Sequence, residues 1–401
     1  KYCPTPKNQG QQGSCVGWGS AYAARTIMEA LATGKNPDQI AFSPSFLYNQ
    51  IRLPNCQGAY INKAMAVQQT KGALPFKNFA YNESRCDIMP NSQMVQAAQN
   101  YNIHGYNRLT STEKPQGVDM EAIKQNIANG GPVVIGMLVG GSFMQEMMGA
   151  DVWNPSNYDY KKQGFGGHCM CLVGYDDNKY GGAFQIFNSW GPEWGKKGIA
   201  WVRYADFDHF TVEAYGVDPL ASKQNAAQQN TINCEVSLLN IKDKVKGSAR
   251  YGSTISLSTS NNQFSSQTIS KDQSFKIQLT NTNPCYTYVI GEETDKTTYV
   301  LFPYTEKHSS YCGITGTRVF PQDFNMYPDE VGSQDLMAVI VTKNPLNIND
   351  IKSSINRASG TFYDKIKTSL GSRFASNASL QSNKIVFNYN ASNADAAFCV
   401  I

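Results

Sequence analysis

Long apolar runs are scarce in this chain of 401 residues, and the longest, Pro132 to Val139, is far too short to cross a bilayer. No membrane-spanning segment is therefore expected. Charge is sparse too: 16% of residues are charged and the net charge is only +4. Residues 1–218 carry 18 Lys and Arg against 17 Asp and Glu, and the remainder 17 against 14, so neither part forms the basic footprint that nucleic acid or an anionic membrane requires. No fixed-period internal repeat occurs. Histidine is limited to four, and His104, His209 and His308 show no ligand spacing, so no metal is expected. Cysteine is not scarce. Ten are present, many beside Pro, Asn or Gly, which favours an oxidising compartment: secreted, periplasmic or cell-surface. The chain begins at Lys1 with neither an initiator Met nor a signal sequence, as a processed or trimmed form would.

The length suits two domains. Helical patterns come first: Ser43 to Ile51, capped by serine with Pro at its first turn; a stretch carrying Ile61, Ala64, Met65 and Val67; and Gly117 to Asn129, which ends at Gly130-Gly131. Strand patterns follow at Val133–Val139, Met170–Tyr175, Ala183–Asn188 and Ile199–Tyr204. Helices then strands imply an α+β domain over 1–218, its helical and sheet halves facing each other across a groove. Residues 219–231, rich in Ala, Gln and Asn, read as a linker. Short strands after it, an amphipathic helix over Asn349–Phe374 interrupted near Gly360, and a last strand at Lys384–Tyr389 before the tail point to a β-sandwich-like module over 232–401.

The chemistry is concentrated in three stretches. Gln9-Gly-Gln-Gln-Gly-Ser-Cys15 delivers a cysteine through a glycine-rich turn to the start of a helix in which Tyr22, Ile27, Met28 and Leu31 read as buried. Unpaired N–H groups and the dipole there favour a thiolate, and Ser14 is placed to cap the helix. Gly167-His168-Cys169-Met170-Cys171 opens an apolar strand, and Asn188-Ser189-Trp190-Gly191 forms a turn. A histidine opening a strand is usually a satisfied core residue, and such a turn is usually only a turn. On strand alternation Cys169 and Cys171 share one face and His168 and Met170 the other, which argues against a common ion. The run Phe143–Met148 suits core or wall packing better than a pliable partner surface.

In the order Cys, His, Asn, these stretches resemble the papain-like cysteine peptidases over roughly residues 4–217. The separations, 153 residues from Cys15 to His168 and 20 from there to Asn188, are close to that family's range. The resemblance implies a two-lobed papain-like fold. It makes Cys15 the nucleophile, His168 its partner in a thiolate and imidazolium pair, and Asn188 the group that orients the ring. Trp190 would shield the His168–Asn188 bond, and Gln9 would hold the oxyanion together with the Cys15 backbone N–H. Gly58, Val133, Gly167, Cys169 and Trp190 become candidate substrate-binding positions, Gly58 through β-augmentation. The floor of the second subsite cannot be placed, because Tyr204–Gly216 aligns poorly.

Two departures stand out. Gln12 and Val16 replace the cysteine and the aromatic of the family's Cys-Gly-Ser-Cys-Trp signature, so the oxyanion loop must be held another way. Cys56, without its usual partner, is expected to pair with Cys86 by family position. With Leu301-Phe302-Pro303, Phe320-Pro321 and the run from Leu336 to Leu346, the C-terminal module resembles a β-rich domain of unknown function appended to bacterial peptidases and kinases, which implies a bacterial exported or surface enzyme. It leaves three roles open, namely binding substrate or an envelope or protein partner, regulating access, or stabilising the chain, and three pairings open among Cys234, Cys285, Cys312 and Cys399. The implied activity is cysteine endopeptidase action on protein or peptide substrates, without a cofactor. The alternatives are a low-turnover peptide-binding protein on the same scaffold and acyl transfer to an amine.

Overall fold

The computed structural model describes residues 1–401 apart from 112–116, 221–229, 242–250, 261–262, 329–330 and 333, and only the backbone of 251–252. The chain divides into two compact units, Lys1–Lys223 and Gln224–Ile401. Most of the expected linker lies outside the described residues, and its last residue, Thr231, already opens a strand.

The first unit is built on one continuous helical rod, Cys15–Gly17, Trp18–Arg25 and Thr26–Thr33, whose middle segment has π-type hydrogen bonding. Every residue from Val16 to Met28 is buried. Its small residues explain how it packs so closely: a Cβ on Gly17 would lie 2.6 Å from the Pro44 carbonyl oxygen, and one on Gly19 would lie 3.0 Å from the Cys169 sulfur. Leu31 departs from expectation. It is 39% exposed, because the last turn, closed by a left-handed Gly34, has left the packed region. The helices Pro44–Ile51, with Ser43 as its cap, Ile61–Thr70 and Ser92–Ala98 also belong to this lobe, the last packing Ala98 against Phe46.

The other lobe is an antiparallel sheet of six strands: β1 (Tyr106–Arg108), β2 (Val133–Val139), β3 (Gly166–Asp176), β4 (Ala183–Phe187), β5 (Ile199–Arg203) and β6 (Thr211–Val217), in the order β1-β6-β2-β3-β4-β5. Strand alternation sorts its side chains between two cores. Val134, Cys169, Cys171 and Tyr215 pack with the central helix, whereas Val133, Ile135, Met137, Met170 and Leu172 join Trp153, Phe207 and Phe210 on the far face. Phe143 and Met147 are buried in that far core, while Met144 and Met148 are exposed, so the methionine-rich run is core on one side only.

The second unit is β-rich. One sheet runs Gly316–Phe320, Phe275–Asn281, Thr231–Ile241, Lys384–Asn390, Ser379–Gln381, and the other Thr298–Phe302, Cys285–Glu292, Leu336–Thr342, Ala396–Val400, Phe374–Asn377. Val236 and Leu238 from one sheet and Val339, Val341 and Cys399 from the other share a core. Tyr288, Ile340 and Phe398, on the second sheet's opposite face, pack against the helices Ile348–Arg357 and Phe362–Leu370. The expected interruption separates two helices at a left-handed Gly360, and the expected tail is an interior strand of the second sheet. The four cysteines of this unit are free thiols, with Cys285 hydrogen-bonded to both Cys234 and Cys312.

Candidate active site

Cys15 is the first residue of the central helix and is only partly buried, whereas the thiols of Cys169 and Cys171 are enclosed. Ser14 does not cap the helix through its side chain. Its hydroxyl lies 2.8 Å from the Tyr81 hydroxyl, and its carbonyl oxygen accepts the N–H groups of Gly17 and Trp18. The Cys15 sulfur meets the backbone N–H groups of Val16 and of Cys169, the residue after His168. Nucleophile and histidine strand are therefore in contact where the two lobes meet.

A continuous network then leads from the imidazole to the loop before Cys15. His168 Nε2 is 2.7 Å from Asn188 Oδ1, and that same oxygen accepts the Ser189 N–H at 2.8 Å. The backbone donor fixes which end of the amide is oxygen, so Nε2 of His168 must carry the proton and Nδ1 is left as the basic nitrogen. Ser189 donates its hydroxyl to Gln9 Oε1 at 2.7 Å, and its carbonyl accepts the Gln9 N–H at 2.8 Å. Gln9 Nε2 in turn donates to the Gln12 carbonyl at 3.0 Å. Trp190 covers the ring, its indole stacked on the imidazole at 4.4 Å between centroids, and is itself backed by Phe143 and Trp194.

The loop carrying Gln9 to Ser14 is clamped by Gln12, whose side-chain amide donates to the carbonyls of both Asn82 and Glu83 at 3.1 Å. The Glu83 carboxylate accepts the Gln11 N–H at 2.8 Å and lies where a Cβ on Gly10 would stand. Cys56 and Cys86 form a disulfide, and the Cys56 carbonyl accepts the Gly13 N–H at 3.2 Å. An amide thus occupies the position of the missing cysteine and ties the same loop non-covalently.

Burial sets the charge state of the pair. It pushes the Cys15 thiol up, opposed by the backbone N–H groups of Cys169 and Val16, and it pushes His168 down to about 4, opposed by Asn188. Each group taken singly is thereby driven toward its uncharged form, whereas the expected thiolate and imidazolium form is a property of the two together. The two descriptions hold the same number of protons and differ only in where one of them sits.

The papain family cysteine protease profile matches residues 1–219. The chain belongs to the papain family. It is 30% identical over 201 residues to an uncharacterized peptidase C1-like protein of Acanthamoeba polyphaga mimivirus, covering 48% of this chain and 61% of that protein. To cathepsin K of Mus musculus it is 28% identical over 201 residues, covering 50% of this chain and 56% of that one. Among solved structures, xylellain, a cysteine protease from Xylella fastidiosa, matches 54% of this chain and 83% of its own at 24% identity and a TM-score of 0.44. The chain spans about six-tenths of the curated relatives' length.

Set beside other papain family positions, the five expected substrate contacts divide. Gly58, at φ +106°, and Gly167 have open space where a Cβ would stand, and Cys169 presses its sulfur toward the central helix. Trp190 is committed to the imidazole. Val133 is corrected: it is fully buried and packs into the far core, because strand alternation turns its side chain away from the helical lobe. On β2 the residue facing that lobe near Cys169 is Gly136. Two residues stand beside the expected ones: Ser189, the link between Asn188 and Gln9, and Glu213, which β6 places opposite Gly136. Ser189 sits inside the Asn-Ser-Trp turn and was legible there; Glu213 lies in the stretch that did not align.

Proposed function

We propose that this chain is a cysteine endopeptidase that hydrolyses peptide bonds through Cys15, His168 and Asn188 by way of an acyl-thioester. The observation that carries the reading is the amide-oriented imidazole, stacked under Trp190 and carried on the strand whose next residue touches the Cys15 sulfur.

In the proposed first step the Cys15 proton passes to Nδ1 of His168 as sulfur attacks the peptide carbonyl. The negative oxygen is met by the Cys15 backbone N–H and by Gln9, whose amide has a second N–H besides the one held by the Gln12 carbonyl. The C–N bond then breaks, the amine leaves with the proton from His168, and the acyl group remains on sulfur. Water attacks the thioester, giving a proton to His168; the C–S bond breaks, His168 returns that proton to sulfur, and the carboxylic acid product leaves and ionises in solution. Asn188 holds the ring through all of these transfers, and no cofactor is required. The Cys56–Cys86 disulfide supports a compartment outside the cytosol, secreted, periplasmic or at the cell surface.

The test is the pH dependence of kcat/KM on an unfolded protein substrate. Below the His168 pKa the ring holds two protons, cannot accept one from Cys15, and activity is lost. With His168 at about 4, the acid limb is expected near pH 4, well below that of a free imidazole. Peptide binding without hydrolysis across the whole range is the outcome of the competing reading, a low-turnover binding protein. Peptide products joined to an added amine identify acyl transfer.

A further inference from the structure

Three buried thiols of the second unit meet at one point, with Cys285 hydrogen-bonded to both Cys234 and Cys312. Cys234 lies in the strand Thr231–Ile241 of one sheet. Cys285 opens the strand Cys285–Glu292 of the other, beside the two-residue strand Tyr311–Cys312. All three belong to the core that the sheets share. Stacked sheets ordinarily stand about 10 Å apart, too wide for a disulfide, whose α-carbons are roughly 4.4–6.8 Å apart. Here the sheets converge. Only Thr282, Asn283 and Pro284 separate Cys285 from Asn281, the register partner of Cys234, and the Thr282 N–H donates to the Asn233 carbonyl at 3.1 Å.

From this convergence we infer that oxidation joins Cys234 and Cys285 in a disulfide between the two sheets and leaves Cys312 a thiol. Cys312 is the register partner of Cys285 but sits in the wrong kind of pair. The Thr287 N–H donates to the Ser310 carbonyl at 2.8 Å, so the Cys285–Cys312 pair, two residues along, is of the same hydrogen-bonded kind. Cβ atoms of such a pair stand about 5.5 Å apart, against roughly 3.5–4.5 Å in a disulfide. The Cys312 sulfur also has a partner in Thr287 Oγ1, at 3.6 Å. Cys234 instead approaches Cys285 across the core, where no strand ladder between the two fixes their spacing. Cys399 is turned to the backbone N–H groups of Val339 and of its own residue.

The oxidant is a small disulfide such as oxidised glutathione. One cysteine attacks it as the thiolate, forming a mixed disulfide and releasing one thiol; the other cysteine displaces the second. Two protons and two electrons leave the chain, and the oxidant ends as two thiols. Contact with Cys234 and burial push the Cys285 thiol up, so the folded unit reacts poorly and the bond forms as the strands assemble. It closes a loop of about 50 residues, which removes much of the freedom of the unfolded chain.

The test refolds the full chain from urea into a buffer containing oxidised glutathione or, in parallel, a reductant. Remaining thiols are blocked with iodoacetamide in urea, and the chain is digested without reduction. Trypsin cuts after Lys276, Lys296 and Lys307 put the three cysteines on separate peptides. With oxidant, the Cys234 and Cys285 peptides are expected joined and two hydrogens lighter than their sum, with the label on Cys312. Hydrogen exchange in the strand Thr231–Ile241 should then resist urea to a concentration about 1 M higher than after refolding with reductant. Cys234→Ala should abolish that difference and Cys312→Ala should keep it; comparing oxidant with reductant inside each variant removes any packing cost of the substitution. Label on both Cys234 and Cys285 after refolding with oxidant, or Cys285 joined to Cys312, overturns the inference. So does a urea difference that survives Cys234→Ala. Neither readout involves Cys15, so the outcome is independent of the peptidase reading.

Discussion

Replacing Cys15 with alanine is expected to lower peptidase activity on the order of 10⁴- to 10⁶-fold, leaving only what binding and oxyanion stabilisation supply. The size follows from the mechanism: without sulfur no acyl-enzyme forms, and water must attack the peptide carbonyl directly. The fold should survive, because Cys15 is partly exposed at the first position of its helix and removal of the sulfur opens no enclosed cavity. Unfolding by urea should therefore differ from the unaltered chain by under about 1 kcal/mol. A loss of activity matched by a loss of structure would not count as support. An unchanged rate would end the mechanism.

His168→Ala is the second large effect, with an expected loss of about 10³- to 10⁴-fold in kcat. Here the sulfur is still present but has no nearby base. Burial holds its thiol above the ordinary range, and the backbone N–H groups of Cys169 and Val16 offset that only in part. Residual activity should consequently climb with pH through the alkaline range, where the unaltered chain is flat. Because the two groups act as a unit, the Cys15→Ala, His168→Ala double variant should be no slower than Cys15→Ala alone. Multiplicative losses would mean that cysteine and histidine work independently. This variant removes the partner under the Trp190 indole and so carries a packing penalty; its folding is read by circular dichroism before its rate is interpreted.

The elements that position the chemistry were legible to the degree that their residues announced them locally. The strand Val133–Val139 is apolar from end to end and is found with the bounds its composition indicates. Cys15, His168, Asn188 and Gln9 each sit in a turn or strand start whose neighbours are unusual; His168, Asn188 and Gln9 are joined through Ser189 by hydrogen bonds, and the Cys15 sulfur meets the backbone of the residue after His168. The strand Thr211–Val217 was not legible. Its face toward the helical lobe carries Glu213 before Tyr215, and a bulge between Glu213 and Thr211 shifts the register there, so the apolar alternation that marks a strand is broken. Val133 differs: its strand is plain in the composition, but an offset of three residues along it decides whether a side chain faces the helical lobe or the far core. Ser14 shows that a residue of capping type makes no cap when a stronger partner is near, here the Tyr81 hydroxyl. In the second unit, Ala396–Val400 follows a run of Asn, Asp and Ala that reads as an ending, and only pairing on both sides with other strands makes it core.

The central claim is that one sulfur of the eight free cysteines is reactive, and that His168 makes it so. A thiol-directed epoxide at mildly acidic pH tests this most directly, because an ordinary thiol is almost wholly protonated there and has no base such as His168 to take its proton as it attacks, and six of the other thiols are buried. Peptide mapping after labelling should find about one label per chain, on Cys15, with hydrolysis lost in proportion. His168→Ala should remain unlabelled under the same conditions. Label on Cys3 in place of Cys15, or full peptidase activity in chains labelled at Cys15, would contradict the account.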